Sequence, residues 1–378
     1  MPVSEKERPV FALFAVWRLL AALLVMFFHF GEFGPPAWKS FCDSMIRLSP
    51  LLDLFFIGSG LLIWVHYSDK LTSWADYRVF VLRRLARLYP LHIATLSVFC
   101  LAWAVAATGI VETNLVENYS LSELMKQLLL VNAWGFSDSL TFNFVSWSLS
   151  AEWFCYLLFP LIVFLFRKAG LKGLVALLLV VVALLEGLTY WGLMPFPTWL
   201  EANTWGAYRV FADFVLGAII ANLAFKKLLT IKSHVLAWAA LALAIGVMLA
   251  DLSWGYWSIF AIAFALYIAA QVEINAPKSS AYLKPLMPIS FVSFGIYMWH
   301  PVFAISIFGL GWMHFLEPRQ IGGFTPLMIF AIVVSVTTAY LSAKYFEAPC
   351  RQIILALVRR SPARDSKIIE RGTAASHN

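Results

Sequence analysis

Stretches of about twenty apolar residues recur along the whole of this chain, and they constrain its fold more tightly than any other feature. Such a stretch, coiled as an α-helix, matches the roughly 30 Å hydrocarbon core of a bilayer. Lipid offers no partner for a free N–H or C=O, so the backbone of each crossing has to satisfy itself as a helix. The runs predict ten spans, over residues 10–30, 50–67, 86–108, 144–166, 171–191, 204–225, 234–250, 255–272, 288–314 and 324–346. The apolar/polar alternation of a β-barrel is absent. Of 378 residues, 61% are hydrophobic and 13% charged, and the mean hydropathy is +0.79, which excludes a water-soluble globular class. The expected fold is an all-α polytopic membrane protein of about ten transmembrane helices. A cytoplasmic tail 1–9, a transmembrane domain 10–346 and a short basic cytoplasmic tail 347–378 would make up the chain, the last disordered beyond about residue 362.

Charge placement predicts the orientation. Of 28 Lys and Arg, 22 fall on one side: the N-terminus, the loops 68–85, 167–172, 226–233 and 273–287, Arg87 at the entry of the third span, and Lys344 with the tail after it. Lys39, Arg47, Lys126 and Arg319 fall on the other, and Arg18 and Arg209 lie inside spans. Positive loops face the cytoplasm, so both termini are expected there, in agreement with an even number of spans. The net charge of +7 is thus spread among loops rather than gathered on one face, and a nucleic-acid partner is excluded. The first run is too long for a signal-peptide core and is expected to stay as the first span. The stretch 121–133 is too short and polar to cross and predicts an interfacial helix capped by Ser120 or Ser122. Cys42, Cys100, Cys155 and Cys350 show no spacing for a disulfide framework or a zinc site, and no metal is expected.

Polar groups inside the spans are the functional leads, because each is costly to insert. Arg18 and His29 are eleven residues apart in the first run, which is about three turns plus 20°, with a rise of about 16 Å; the two share one helix face. His29 reads equally as an interfacial residue reaching the headgroups, whereas Arg18 needs an internal partner or a water-filled cavity. Asp53, after Ser49-Pro50, suits the positive start of the second span or a catalytic role. Ser59-Gly60 predicts close helix packing. Arg83, Arg84 and Arg87 form either a topology anchor for anionic lipid or a phosphate-binding patch. Pro90 and His92 follow them and predict an irregular helix start. Ser148, Glu152 and Tyr156 share a face, with His29, Arg18 or Arg209 as possible partners of Glu152. Arg209 and Asp213 read as a self-neutralising pair. His300, before Pro301 and one turn after Tyr297, lies about mid-bilayer, as a structural histidine or at a kink lining a cavity.

Taken together these segments resemble the acyltransferase-3 family of membrane-bound bacterial O-acyltransferases. The matching pieces are Arg18 with His29, Asp53-Leu-Phe-Phe with Ser59-Gly60, Arg84-Leu-Ala-Arg87-Leu-Tyr-Pro90, Trp147-Ser148-Leu-Ser150-Ala-Glu152, Tyr297-Met-Trp-His300-Pro301 and Phe346-Glu347-Ala-Pro349. They come in the family's order over residues 10 to about 350.

The resemblance implies an enzyme of the bacterial inner membrane. It would move an acyl group, usually acetyl from acetyl-CoA, to a sugar hydroxyl of a surface polysaccharide, lipopolysaccharide or glycolipid. Joined to the residues, it implies that Arg83, Arg84 and Arg87 hold the phosphates of acyl-CoA. His29 would act as general base, with Glu152 orienting its ring. Arg18, or Tyr297 and His300, would face the oxyanion, and Ser148 and Asp53 are further substrate-facing candidates. The alternative is a transporter or flippase of glycan or lipid using the same Arg, His and Glu groups. It predicts internal repeats, which are not visible in the sequence.

Overall fold

Apolar runs between polar, Pro- and Gly-bearing turns fold as helices throughout. The computed structural model describes residues 11–109, 118–226, 229–252 and 255–359, so the 1–9 tail and everything after Arg359 lie outside it. The helices are α1 (Ala12–Gly31), α2 (Pro36–Met45), α3 (Leu51–Tyr67), α4 (Trp74–Ala107), α5 (Leu121–Leu129) and α6 (Ser146–Tyr190). They continue with α7 (Gly206–Phe225), α8 (His234–Leu249), α9 (Tyr256–Asn275), the short α10 (Met287–Ser290), α11 (Ser293–Phe303), α12 (Phe324–Ser342) and α13 (Ala348–Arg359). No strand occurs among the described residues.

Eight helical stretches among them are long and apolar enough to cross a membrane, and the protein is a multi-pass membrane protein. Ten crossings require α6 to count twice and α8 to cross. α6 is 45 residues long, about 68 Å at 1.5 Å per residue, or twice a bilayer core. It is broken at Gly170 (φ 60, ψ −148), a backbone geometry open to glycine. That break falls in the loop expected at 167–172. α8 is apolar but has only 16 residues.

Several boundaries differ from expectation. α4 starts at Trp74, well before residue 86. A capping box starts it: Asp76 N–H donates to Ser73 Oγ at 3.2 Å, and Asp76 Oδ2 accepts from Ser73 N–H at 2.8 Å. The helix runs on through Pro90, where an irregular start was expected. Tertiary bonds hold that turn: Tyr89 OH donates to the Leu128 carbonyl at 2.9 Å, and His92 Nε2 meets the Gln127 carbonyl at 2.9 Å. Arg78, Arg83, Arg84 and Arg87 therefore stand on one rigid helix. α5 is capped by Ser120, whose Oγ accepts from Glu123 N–H at 3.2 Å. Ser49 makes no side-chain cap for α3; a 3₁₀ turn over Ile46–Leu48 leads into the helix instead. Beyond Pro301, α11 passes into a π-helix over Ala304–Leu316, and α13 occupies the start of the expected polar tail.

Two contacts set the frame for the polar residues. α1 begins without a capping side chain of its own; Glu273 from α9 reaches across, and its Oε1 accepts from Leu13 N–H at 2.7 Å. This places a carboxylate at the positive end of α1. α3 and α7 cross backbone to backbone. A Cβ on Gly60 would lie 2.1 Å from the Phe214 carbonyl oxygen, and one on Gly217 would lie 2.0 Å from that of Ile57. The packing expected from Ser59-Gly60 is thus present, with Gly217 as its counterpart. Gly217→Ala is expected to destabilise the protein by about 1–3 kcal/mol or more, seen as a smaller folded fraction after mild heating in detergent; unchanged stability would mean that the crossing has slack.

Candidate functional site

The last turn of α1 carries His29 to the face of α11, where its ring stacks on His300 with centroids 5.3 Å apart and planes at 15°. Phe144, from the chain between α5 and α6, packs edge-on against both rings, at 4.9 Å from His29 and 6.3 Å from His300. Asn143 fixes that chain, its Nδ2 donating to Thr95 Oγ1 at 3.0 Å and to the Met298 carbonyl at 3.1 Å. His300 is fully buried, and neither ring nitrogen has a well-formed hydrogen bond; the nearest acceptors are the carbonyls of Ile296 and Tyr297 one turn back. Unpartnered buried polar atoms of this kind call for a ligand or water. Tyr297 lies 5.8 Å from the His300 ring. Its hydroxyl donates weakly to the Val145 carbonyl at 3.4 Å and neighbours the Ser148 hydroxyl.

His29 has a carboxylate partner, but it is not Glu152. Nδ1 of His29 lies 3.3 Å from Glu32 Oε2, one turn on in the chain. Glu152 instead accepts from Ser59 Oγ of α3 and, at 2.5 Å, from Tyr156 OH one turn on. The reason is the shared helix face: Glu152 and Tyr156 point together toward α3 and the N-terminal half of α1. There the charge of Arg18 acts on both. Arg18 lies 5.7 Å from the centroid of Phe55, and its buried Nε has no partner. Phe55 in turn lies 6.1 Å from Tyr297. Ring and guanidinium contacts therefore connect Arg18 to Phe55, Tyr297, His300 and His29 in sequence.

The arginines of α4 complete the end of this column opposite His29. Arg84 is held in a cage of rings, 5.0 Å from the centroid of Tyr67, 5.8 Å from Tyr156 and 6.0 Å from Phe80. Its Nη2 donates to Tyr67 OH at 2.9 Å, and Arg83 also hydrogen-bonds that phenol. Arg87 is exposed. The donor set here is five fixed guanidinium N–H groups per arginine, chemistry suited to phosphate oxygens. Among the described residues no group of three or more His, Cys, Asp and Glu is placed to hold a metal ion.

Asp53 stands apart from this column. It forms a buried ion pair with Arg209 of α7, whose Nη2 and, at 3.1 Å, Nε both donate to Asp53 Oδ1. The expected Arg209–Asp213 pair is thus replaced by Arg209–Asp53, with Asp213 close enough for both charges to act on it. The α3–α7 crossing explains the exchange, since it brings the first turns of the two helices face to face. Asp53 is satisfied there by Arg209. Sequence reasoning overlooked Glu32 and Phe144. Glu32 had a signal in its i,i+3 spacing from His29; Phe144 reaches the site only through tertiary packing.

Comparison with known proteins agrees with the resemblance. The chain matches the model of the acyltransferase-3 family, described as an acyltransferase domain, over residues 14–343. It is 31% identical to the acyltransferase MdmB of Streptomyces mycarofaciens over 163 residues, which is 42% of this chain and 40% of that relative. It is 24% identical to nodulation protein 10 of Rhizobium leguminosarum bv. viciae over 92% of this chain and 95% of that protein. No solved structure matches it. With most of its length inside the family match, the chain belongs to the acyltransferase-3 family of acyltransferases.

Proposed function

We propose that this protein is an O-acyltransferase of the bacterial inner membrane, with both termini cytoplasmic, ten crossings and acetyl-CoA as donor. The acceptor is a sugar hydroxyl on a surface polysaccharide, lipopolysaccharide or glycolipid. The observation that carries this reading is the column of side chains along α1, from the caged arginines through Arg18 and Phe55 to Tyr297, His300 and His29. CoA is a polyanion confined to the cytoplasm, so its phosphates belong at Arg83, Arg84 and Arg87 and its thioester toward the histidines.

At that end His29 is the general base. With Nδ1–H directed at Glu32, Nε2 is the basic nitrogen. Nε2 takes the proton from the acceptor hydroxyl as its oxygen attacks the thioester carbonyl. The C–O bond forms and the carbonyl oxygen becomes an oxyanion, within reach of an N–H of His300 and the Tyr297 hydroxyl. When the oxyanion collapses, the C–S bond breaks and the CoA thiolate leaves, taking the proton back from His29. Phe144 shields the two rings and limits hydrolysis of the thioester. Family membership favours transfer over the transport alternative. Mass spectra of surface glycan from cells with and without the protein test the reading: acetylated species present only with the protein support it. Identical spectra in every glycan and glycolipid fraction would remove it.

A further inference from the structure

The tertiary fold brings one more arginine to the cytoplasmic end of the column. Arg351 lies in the first turn of α13, and α13 packs along α4, more than 240 positions earlier in the chain. Arg351 lies within electrostatic reach of Arg87 and Arg84 and of the Glu347 carboxylate. Glu347, the carboxylate nearest to hand, accepts a hydrogen bond from Ser342 Oγ at 3.1 Å and shares its charge between Arg87 and Arg351. Arg84, half-buried in its cage of rings, keeps its buried Nε without a partner. Arg83 and Arg84 both spend donors on the same Tyr67 phenol. Three guanidiniums from two helices thus converge with one carboxylate between two of them. Like charges gathered at one helix junction repel, and an anion with several oxygens relieves that repulsion.

We infer that Arg84, Arg87 and Arg351 form one phosphate-binding site, and that α13 is part of donor binding through Arg351. This rests on the acyl-CoA reading above, and it extends that reading to a helix outside the matched residues 14–343. The phosphates of CoA and a phospholipid headgroup share the required chemistry. The site is rimmed on one side by exposed Arg87 and Arg351 and closed on the other by Arg84 in its cage. Phosphates entering from the cytoplasm therefore meet Arg351 and Arg87 before Arg84. The donor's binding also fastens α13 to α4.

The test measures equilibrium binding of CoA, 3′-dephospho-CoA and pantetheine to the purified full-length protein in nanodiscs. Nanodiscs of phosphatidylcholine alone and of phosphatidylcholine with phosphatidylglycerol form the two lipid arms. Arg351→Ala is expected to weaken CoA binding by about ten- to a hundredfold, the worth of hydrogen bonds to a charged group, and to leave pantetheine binding unchanged. Arg351→Lys, which keeps the charge and loses the fork, is expected to recover part of the loss, which also shows that α13 still folds. CoA affinity unchanged in Arg351→Ala while Arg84→Ala lowers it would overturn the role of α13 and leave the donor reading standing. Unchanged affinity in Arg84→Ala, Arg87→Ala and Arg351→Ala alike would overturn the donor reading itself. Binding lost only in the phosphatidylglycerol arm would assign the site to lipid and overturn the donor assignment.

Discussion

Replacing His29 by alanine is expected to lower acyl transfer by about 10²–10⁴-fold, the usual worth of a positioned general base, without lowering the amount of folded protein. The ring sits at the end of α1, partly open, with Glu32 on one nitrogen and His300 stacked against its face. Removing it leaves the arginine cluster and the Asp53–Arg209 pair untouched, so donor binding is expected to persist. Glu32→Gln should cost less, since the amide still positions the ring but no longer stabilises its charged form. Glu152→Gln should act differently: Glu152 belongs to Arg18, Tyr156 and Ser59, and its loss should disturb the inner half of the column. Full transfer by His29→Ala at normal expression would sink the base assignment.

The second large effect concerns stability. Arg209→Ala is expected to cost about 3–5 kcal/mol, because it leaves Asp53 buried with its counter-ion gone and Asp213 beside it. The readout is the fraction of monodisperse protein after heating in detergent. The double variant Arg209→Ala with Asp53→Ala should recover part of the loss, since the uncompensated charge is then removed as well. Equal stability of Arg209→Ala and the parent would mean that water or lipid headgroups reach the pair, contrary to its burial between α3 and α7.

How much of this was legible in the sequence follows from what a one-dimensional pattern records. Apolar runs long enough for a bilayer announce helices, and Gly170 marks the break in α6. Face sharing along one helix was readable too, as with Glu152 and Tyr156. What the spacing does not record is the rotation of one helix against another. Glu152 therefore looked available to His29 when its face in fact turns to Arg18, and Arg209 seemed to belong to Asp213 when Asp53 stood closer across the crossing. Local rules also yielded to packing: Pro90 sits inside α4 because bonds to α5 hold the turn on either side of it. Arg351 gave no local signal, since only the return of α13 onto α4 brings it near Arg84 and Arg87.

The most direct measurement follows the acyl group. Inside-out membrane vesicles carrying the protein and its native glycan or glycolipid are given acetyl-labelled acetyl-CoA at the exposed cytoplasmic face. The label is then sought on glycan. The account predicts base-labile label on glycan with the parent protein, near background with His29→Ala, and restored in neither variant nor vector control by added free acetate. Label that never leaves CoA in the presence of acceptor, or that reaches glycan equally with His29→Ala, would contradict it.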